Sequence, residues 1–541
     1  MNDWKAETGY GEVTAKGVEN VDEPRLDTMG LLISARRIIP VHRIIYSITI
    51  FICLSFLSVL AVRNGTYYDD EIFSIESAEA HTYSSLWRFI NATDIHPPGS
   101  YLIDKLLFNV LGSWVYVKIF AGLLTAGALA IFGALAYGSL SARGRLALGI
   151  LLMTSGTQVM WDSSVRWYAY FNPIFAVSLA ILLFAGLSLT TRTIVLCVSI
   201  AIMFHISYLV LCSAPVLVGV HLLRNRQHFA RKDVVILCAA GIVASLLCLP
   251  QLRTLLSVQL HLQAVNNQAG STLTALANTA TTMFIGDAVF PIAVLPIIYA
   301  ILILCIFLNF LIRQKKNKLD WLVISTLAIG ILALAATGLG VKPRNSAFLL
   351  PLVYFGISIS LDRIRSRGVY AIIGVMLIFQ LVGCFNVVSH RGTIKGSYNT
   401  DYRVAMESIE QWVNGCRGRA VVFHHDVVLG YLLKQAEIYQ SSPFVSAAND
   451  KLVHLSAGDC AVVVKSYRGN YDQATLDRHY AALRTAGLQS ISSRNVSYDS
   501  NAAAKSRFAN EVFPDFLLVM QRSDATTHIT LPAWAFGPSG E

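Results

Sequence analysis

The chain has 541 residues, 54% of them hydrophobic and only 14% charged, whereas soluble domains carry charge at roughly a quarter of positions. A soluble surface is excluded, and apolar stretches able to cross a bilayer, about 20 residues each, recur along the chain. The net charge of +10 sits in short clusters between apolar runs, so a nucleic-acid-binding stripe is excluded as well.

Residues 1–40 are polar and partly acidic (Asp3, Glu7, Glu12, Glu19, Asp22, Glu23), without the apolar stretch of a cleavable signal peptide, and are expected to form a flexible cytoplasmic tail. The first span is expected at 41–62, followed by a long loop, 63–113. Further spans are expected at 114–138, 146–160, 168–188, 193–204, 206–223, 234–250, 291–312, 320–340, 346–361 and 369–389. That makes about eleven, with 193–204 the weakest by length. Starting from the inside, alternation puts every basic cluster on the cytoplasmic side: Arg36, Arg37 and Arg43; Arg143 and Arg145; Arg224, Arg226, Arg231 and Lys232; Arg313, Lys315, Lys316 and Lys318; Arg363, Arg365 and Arg367. The same alternation places the long segments 63–113, 251–290 and 390–541 outside.

From Ser397 the chain turns polar, and 391–541 is expected to be a small α/β domain of ordinary size, about 140 residues. Arg419–Phe423 and Ala461–Val464 read as buried strands, Thr475–Ala486 as an amphipathic helix and Val427–Leu433 as a short helix. Cys416 and Cys460 are available to pair if this part faces an oxidising compartment. The fold class is thus an α-helical polytopic membrane protein with a C-terminal α/β domain.

Charged residues are nearly absent from span interiors, where an ion-coupled transporter keeps them. They gather instead at the outer ends of spans. Tyr67-Tyr68-Asp69-Asp70-Glu71 follows the first span. Three adjacent carboxylates repel one another, which raises at least one pKa and suits a general base; the same cluster also suits a helix N-terminus. Next comes Asp94-Ile95-His96-Pro97-Pro98, a turn that starts a helix over Tyr101–Leu111 and holds His96 at the interface. Trp161-Asp162-Ser163-Ser164-Val165-Arg166-Trp167-Tyr168 and Lys342-Pro343-Arg344-Asn345 share that face. Arg166, Lys342 and Arg344 are cations where positive charge is normally scarce. A phosphate would justify them, and so would snorkelling toward lipid headgroups. His424-His425-Asp426 is a poor metal fragment, because adjacent strand side chains diverge. No P-loop or dinucleotide fingerprint occurs.

The order Asp70-Glu71, Asp94-x-His96-Pro97-Pro98, Arg166-x-Tyr168, Pro343-Arg344 and Pro351 resembles the GT-C superfamily of integral-membrane glycosyltransferases. It is similar to bacterial members such as the protein O-mannosyltransferases and the lipid A aminoarabinose transferase. The resemblance covers roughly residues 40–440. It implies a polyprenyl-phosphate sugar donor, inversion at the anomeric carbon, and an active site on the periplasmic side of the bacterial cytoplasmic membrane. It makes Asp70 the catalytic carboxylate, with Glu71 and Asp69 beside it. It sets His96, Arg166, Lys342 and Arg344 on the donor phosphate, and Asp94, Tyr168 and Tyr68 near substrate. Asn345 stands where the family motif carries Tyr. The acceptor would be lipid A or core oligosaccharide, a cell-surface glycan, or protein. No metal ligands are assigned, and relatives differ in their need for a divalent ion. The alternatives are a flippase for lipid-linked saccharides, a scaffold presenting the tail domain, and a transferase using a diphosphate donor.

Overall fold

The computed structural model describes residues 40–64, 67, 69–94, 96–225, 231–256, 294–312, 318–337, 343–364 and 366–389. It also describes 402–414, 420–423, 431–433, the strand segments between 451 and 531, and a few single positions.

Helix α1, Val41–Asn64, has 24 residues, about 36 Å of helix and enough to cross the hydrocarbon core. Three shorter helices follow: α2 (Asp69–Ala80), α3 (Tyr83–Thr93) and α4 (Gly99–Leu111). The loop expected at 63–113 is therefore a helical layer. Helix α3 starts where the Thr82 side chain accepts from Ser85 N–H, and its buried Leu86 and Ile90 lie one turn apart. Helix α4 begins directly after Pro97-Pro98 and ends at Gly112, whose φ of 70° only glycine adopts easily.

The apolar segments that follow are all helical: α5 (Trp114–Ala136), α6 (Ala142–Met153), α7 (Gly156–Asp162), α8 (Tyr168–Phe184), α9 (Leu189–Ile206), α10 (Val210–Asn225), α11 (Arg231–Thr254), α12 (Val294–Ile312), α13 (Lys318–Thr337), α14 (Leu350–Asp362) and α15 (Val369–Val388). Among the described residues, six helices are long and apolar enough to cross a bilayer; four more apolar helices are shorter. The chain is a multi-pass membrane protein.

Two expectations need correction. The segment 193–204, thought weakest, lies within the 18-residue helix α9 and is one of the six. The segment 146–160 is not one rod but α6 and α7, broken at Thr154-Ser155. There the Thr154 hydroxyl bonds back to Ile150 O at 2.6 Å, and Cys384 Sγ points to Thr154 O at 3.3 Å, satisfying a carbonyl released by the break. An added Cβ at Gly156 would lie 3.0 Å from the Gly383 carbonyl carbon, so the break lets α7 approach the α15 backbone closely.

Helix α5 packs along α8, and α14 lies almost wholly inside the bundle, with twelve of its residues from Leu350 to Leu361 buried. A 3-10 turn, Pro343–Leu349, leads into α14. Phe348 of that turn meets Phe175 edge-on at 4.8 Å and Phe171 at 6.2 Å, fixing the turn against α8.

The tail supplies α16 (Tyr402–Asn414) and strands β1 (Ala420–Phe423), β2 (Lys451–Leu455), β3 (Cys460–Ser466), β4 (Ser492–Val496), β5 (Phe516–Arg522) and β6 (Thr527–Leu531). One sheet runs β1-β3-β5-β4, with β1 and β3 parallel and the other pairs antiparallel; β2 and β6 pair separately. The strands expected at Arg419–Phe423 and Ala461–Val464 correspond to β1 and β3. Residues 431–433 are helical. The helix expected at Thr475–Ala486, the His424-His425-Asp426 fragment and Cys416 lie outside the described residues. Ile409, Val422, Leu429, Tyr431 and Leu433 share one apolar cluster with Ile72, Ile75 and Ala78 of α2, and with Trp114, Val117 and Val165. The tail thus packs behind α2.

Candidate active site

Asp70 occupies the first turn of α2, where the unpaired N–H groups of a helix start favour an anion. Its Oδ2 accepts from Arg344 Nη1 at 2.6 Å, and Arg166 Nη2 stands 4.0 Å away. Side-chain exposure separates the roles: 36% for Asp70 against 5% for Arg166 and 7% for Arg344. The guanidinium groups form a buried floor, and the carboxylate reaches out from it.

Arg166 is the hub of that floor. Its Nη1 donates to Asp70 O at 3.0 Å, to Ser74 Oγ at 3.2 Å and to Tyr101 Oη at 3.0 Å. Tyr101 in turn donates to Asp94 Oδ2. The remaining buried donor, Arg166 Nε, has no hydrogen-bond partner. Arg344 lies over the Tyr168 ring, 6.0 Å from its centre, a cation–π contact that orients its fork. His96 lies beside Trp167, with ring centres 5.6 Å apart.

Electrostatics divides the acidic cluster. Burial favours neutral Asp70, but Arg166 and Arg344 overcome it and hold the carboxyl well below the usual carboxylate range. Mutual repulsion raising a catalytic carboxylate, as the acidic run suggested, is therefore not what Asp70 experiences. Glu71 moves the other way, because full burial raises it against the pull of Lys118 and the Val165 N–H. It receives Lys118 Nζ at 3.0 Å and Val165 N–H at 2.8 Å, facing away from solvent as a clamp between α2, α5 and the Arg166 loop. His96 is pushed down to about 4, first by burial and then by Arg166 and Arg344, against the opposing pull of Asp94. At neutral pH it is therefore uncharged and acts through its N–H.

Asp70, Glu71, Asp94, His96, Arg166, Tyr168 and Arg344 all come together at the α2 end of the bundle. Asp69 begins α2, and its side chain is outside the described residues, as are Tyr68 and Lys342. Sequence reasoning missed Ser74, Tyr101, Trp167 and Lys118. Lys118 was detectable as a lone cation in an apolar run, a placement that requires a partner. Among the described residues no three His, Cys, Asp or Glu side chains group as a metal site.

No protein-family model matches the chain, and no curated protein sequence is significantly similar to it. Solved structures do resemble it. ArnT from Cupriavidus metallidurans bound to undecaprenyl phosphate has a TM-score of 0.50 at 12% identity, covering 91% of this chain and 99% of that one. The same protein in the apo state scores 0.47 at 10% identity, with the same coverage. The arabinofuranosyltransferase AftD from Mycobacteria scores 0.37 at 13% identity, covering 88% of this chain and 40% of that one. The chain shares its fold with ArnT.

Proposed function

We propose that this protein is an inverting glycosyltransferase of the bacterial cytoplasmic membrane, taking sugar from a polyprenyl-phosphate carrier on the periplasmic side. The observation that carries the proposal is the carboxylate of Asp70 held at the mouth of a buried two-arginine floor. Such a pair suits a reaction that needs a base on one side of the sugar and stabilised phosphate on the other. The fold shared with ArnT, whose structure holds undecaprenyl phosphate, supports a polyprenyl-linked donor.

In the proposed step an acceptor hydroxyl or amine attacks the anomeric carbon. The bond from that carbon to the phosphate oxygen breaks, its electron pair stays on the phosphate, and the acceptor proton passes to Asp70. Arg344 and Arg166 hold the departing phosphate, with Arg166 Nε and the His96 N–H as further donors. Lys342 is proposed on the same phosphate, while Asp94 and Tyr168 shape the sugar site. Asp70 paired with Arg344 is a weak base. When phosphate draws the Arg344 fork away, the carboxylate loses one of its stabilising charges and becomes a stronger proton acceptor. Donor binding and base activation are thus one event. The acceptor is lipid A or core oligosaccharide, another envelope glycan, or protein, and contact with it is the role proposed for the C-terminal domain.

The test is transfer from defined polyprenyl-phosphate sugars in membranes containing wild type or Asp70→Asn, with lipid and glycan products followed by mass spectrometry. A sugar adduct made by wild type and absent from well-folded Asp70→Asn is expected. An adduct undiminished in the mutant moves the base to Asp69. No adduct with any donor, from folded wild type, removes the transferase reading.

A further inference from the structure

An arginine can offer a phosphate more than one edge, and the surroundings of Arg166 select among them. The guanidinium group is planar, and Nε–H runs parallel to one N–H of Nη2, a fork that matches two phosphate oxygens. The third nitrogen, Nη1, is occupied by the protein: Asp70 O at 3.0 Å, Ser74 Oγ at 3.2 Å and Tyr101 Oη at 3.0 Å accept from it. Nη2 stands 4.0 Å from Asp70 Oδ2, and the buried Nε has no hydrogen-bond partner among the described residues. An unpaired buried donor costs free energy that a phosphate oxygen would recover. The Nε–Nη2 edge is therefore the one left for a ligand.

Of the groups that hold Nη1, the Tyr101 hydroxyl has a direction of its own to settle. A phenol both donates and accepts, so it holds an arginine only when its proton points elsewhere. Asp94 supplies that direction: Tyr101 donates to Asp94 Oδ2, which leaves the lone pairs of Oη to Arg166. The local sequence sets up this geometry. Asp94 ends α3 in extended backbone, with φ −112° and ψ 155°, and Pro97-Pro98 turns the chain directly into α4. The two residues, seven positions apart, thus face one another. The Tyr101 ring is fixed as well. It is 1% exposed and clusters with Leu86 and Ile90 of α3. Phe73 of α2 meets it edge-on at 6.1 Å, and the Arg166 guanidinium lies 5.9 Å from its centre.

We propose that Tyr101, aimed by Asp94, is the positioning residue that presents the Nε–Nη2 edge of Arg166 to the donor phosphate. The inference rests on the glycosyl-transfer reading and deepens it. Whatever Asp94 contacts on the sugar, it reaches the phosphate through Tyr101 and Arg166.

The probe that tests this is undecaprenyl phosphate, which carries no sugar, titrated calorimetrically into the full chain in detergent. Tyr101→Phe keeps the ring and removes the hydroxyl. Its affinity is expected to fall about tenfold, the worth of one well-placed arginine bond, in a protein that still melts cooperatively. Asp94→Ala is expected to lose as much, and the double variant no more than either alone, because the two residues act in one chain. Asp94→Asn, whose amide oxygen still accepts from Tyr101, is expected to bind as wild type does. Should Tyr101→Phe not fold, the contrast between Asp94→Ala and Asp94→Asn carries the test. Unchanged affinity in Tyr101→Phe, or losses that multiply in the double variant, would overturn the positioning role and leave the donor reading intact. Equal losses in Asp94→Asn and Asp94→Ala would overturn it too, since charge and not direction would then be what matters. No binding by folded wild type would remove the polyprenyl-phosphate reading itself, and this inference with it.

Discussion

Arg344 Nη1 lies 2.6 Å from Asp70 Oδ2, a contact between residues 274 positions apart. It joins the helix after the first span to the turn before α14. This one ion pair sets the protonation state of the proposed base and also occupies the cation proposed to hold the donor. Its loss should therefore appear in two separate kinetic parameters.

Arg344→Gln is expected to raise the donor KM and to move the acid limb of the pH–rate profile upward by about one unit or more. The sign follows from the environment of Asp70. Burial pushes its carboxyl up while Arg166 and Arg344 hold it well below the usual range, so removing one cation lets the pKa rise. A protonated Asp70 cannot take the acceptor proton, and activity is lost at a higher pH than in wild type. Initial rates from pH 3 upward check this, because only the variant's acid limb is expected to enter that window; a variant as active at pH 3 as at neutral pH would mean that Asp70 is not the titrating base.

Glu71→Ala is expected to cost about 3 kcal/mol or more of stability, because it strands the buried Lys118 charge. Replacing both partners, Glu71→Met with Lys118→Met, should recover much of that loss, since no charge is then left in an apolar site. Thermal unfolding in detergent measures both. A catalytic role for Glu71 would instead leave the double variant stable and no better than Glu71→Ala in activity.

Gly99→Ala probes how α4 is seated. A Cβ there would stand 2.2 Å from the His205 carbonyl oxygen, a backbone atom of α9 that cannot swing aside. Helix α4 must then shift, carrying Tyr101 and the adjoining His96 turn away from Arg166. Transfer is expected to fall at least tenfold, since small misplacements are costly at a reacting centre, although Gly99 contacts none of the proposed reacting atoms. Comparison with Gly127→Ala, where an added Cβ meets nothing within 4 Å, separates displacement from a general helix effect.

Much of this was legible in the sequence because lipid forces simple patterns on it. Each expected span contains helix among its described residues, and the cations singled out between spans, Arg166 and Arg344, converged on Asp70. What stayed hidden depends on partners far along the chain. Glu71 and Asp70 are neighbours of the same chemical type, yet α2 turns one toward Lys118 and the other toward Arg344. The adjacent carboxylates therefore experience opposite environments instead of repelling as a group. In the loop expected at 63–113, the helix expected over Tyr101–Leu111 corresponds to α4, while α2 and α3 were concealed, α2 being too polar and α3 too short to show as spans; the buried spacing of Leu86 and Ile90 was the available clue. The α6–α7 break was equally hidden, since the group that accommodates it, Cys384, lies 230 positions away.

Asp104 gives a test of buried charge beneath the site. It is wholly buried on α4; Tyr170 donates to its Oδ1, and its Oδ2 has no partner. Burial, against the opposing effects of Tyr170 and Arg166, pushes its pKa up to about 7. The folded state therefore binds a proton that the unfolded chain releases near pH 4. This contribution to stability is complete below about pH 4 and is lost as pH rises to about 7. Glu71, also raised by burial, acts in the same direction, so the informative quantity is the difference between proteins. Asp70 acts oppositely, but only below about pH 4, because its folded pKa is depressed. Asp104→Asn keeps an acceptor for Tyr170 and carries no charge at any pH. Its melting temperature is expected to fall less steeply than that of wild type between pH 4 and 7, and to exceed it at pH 8. Parallel curves would show that Asp104 is ionised throughout, held by Arg166 more strongly than burial opposes it.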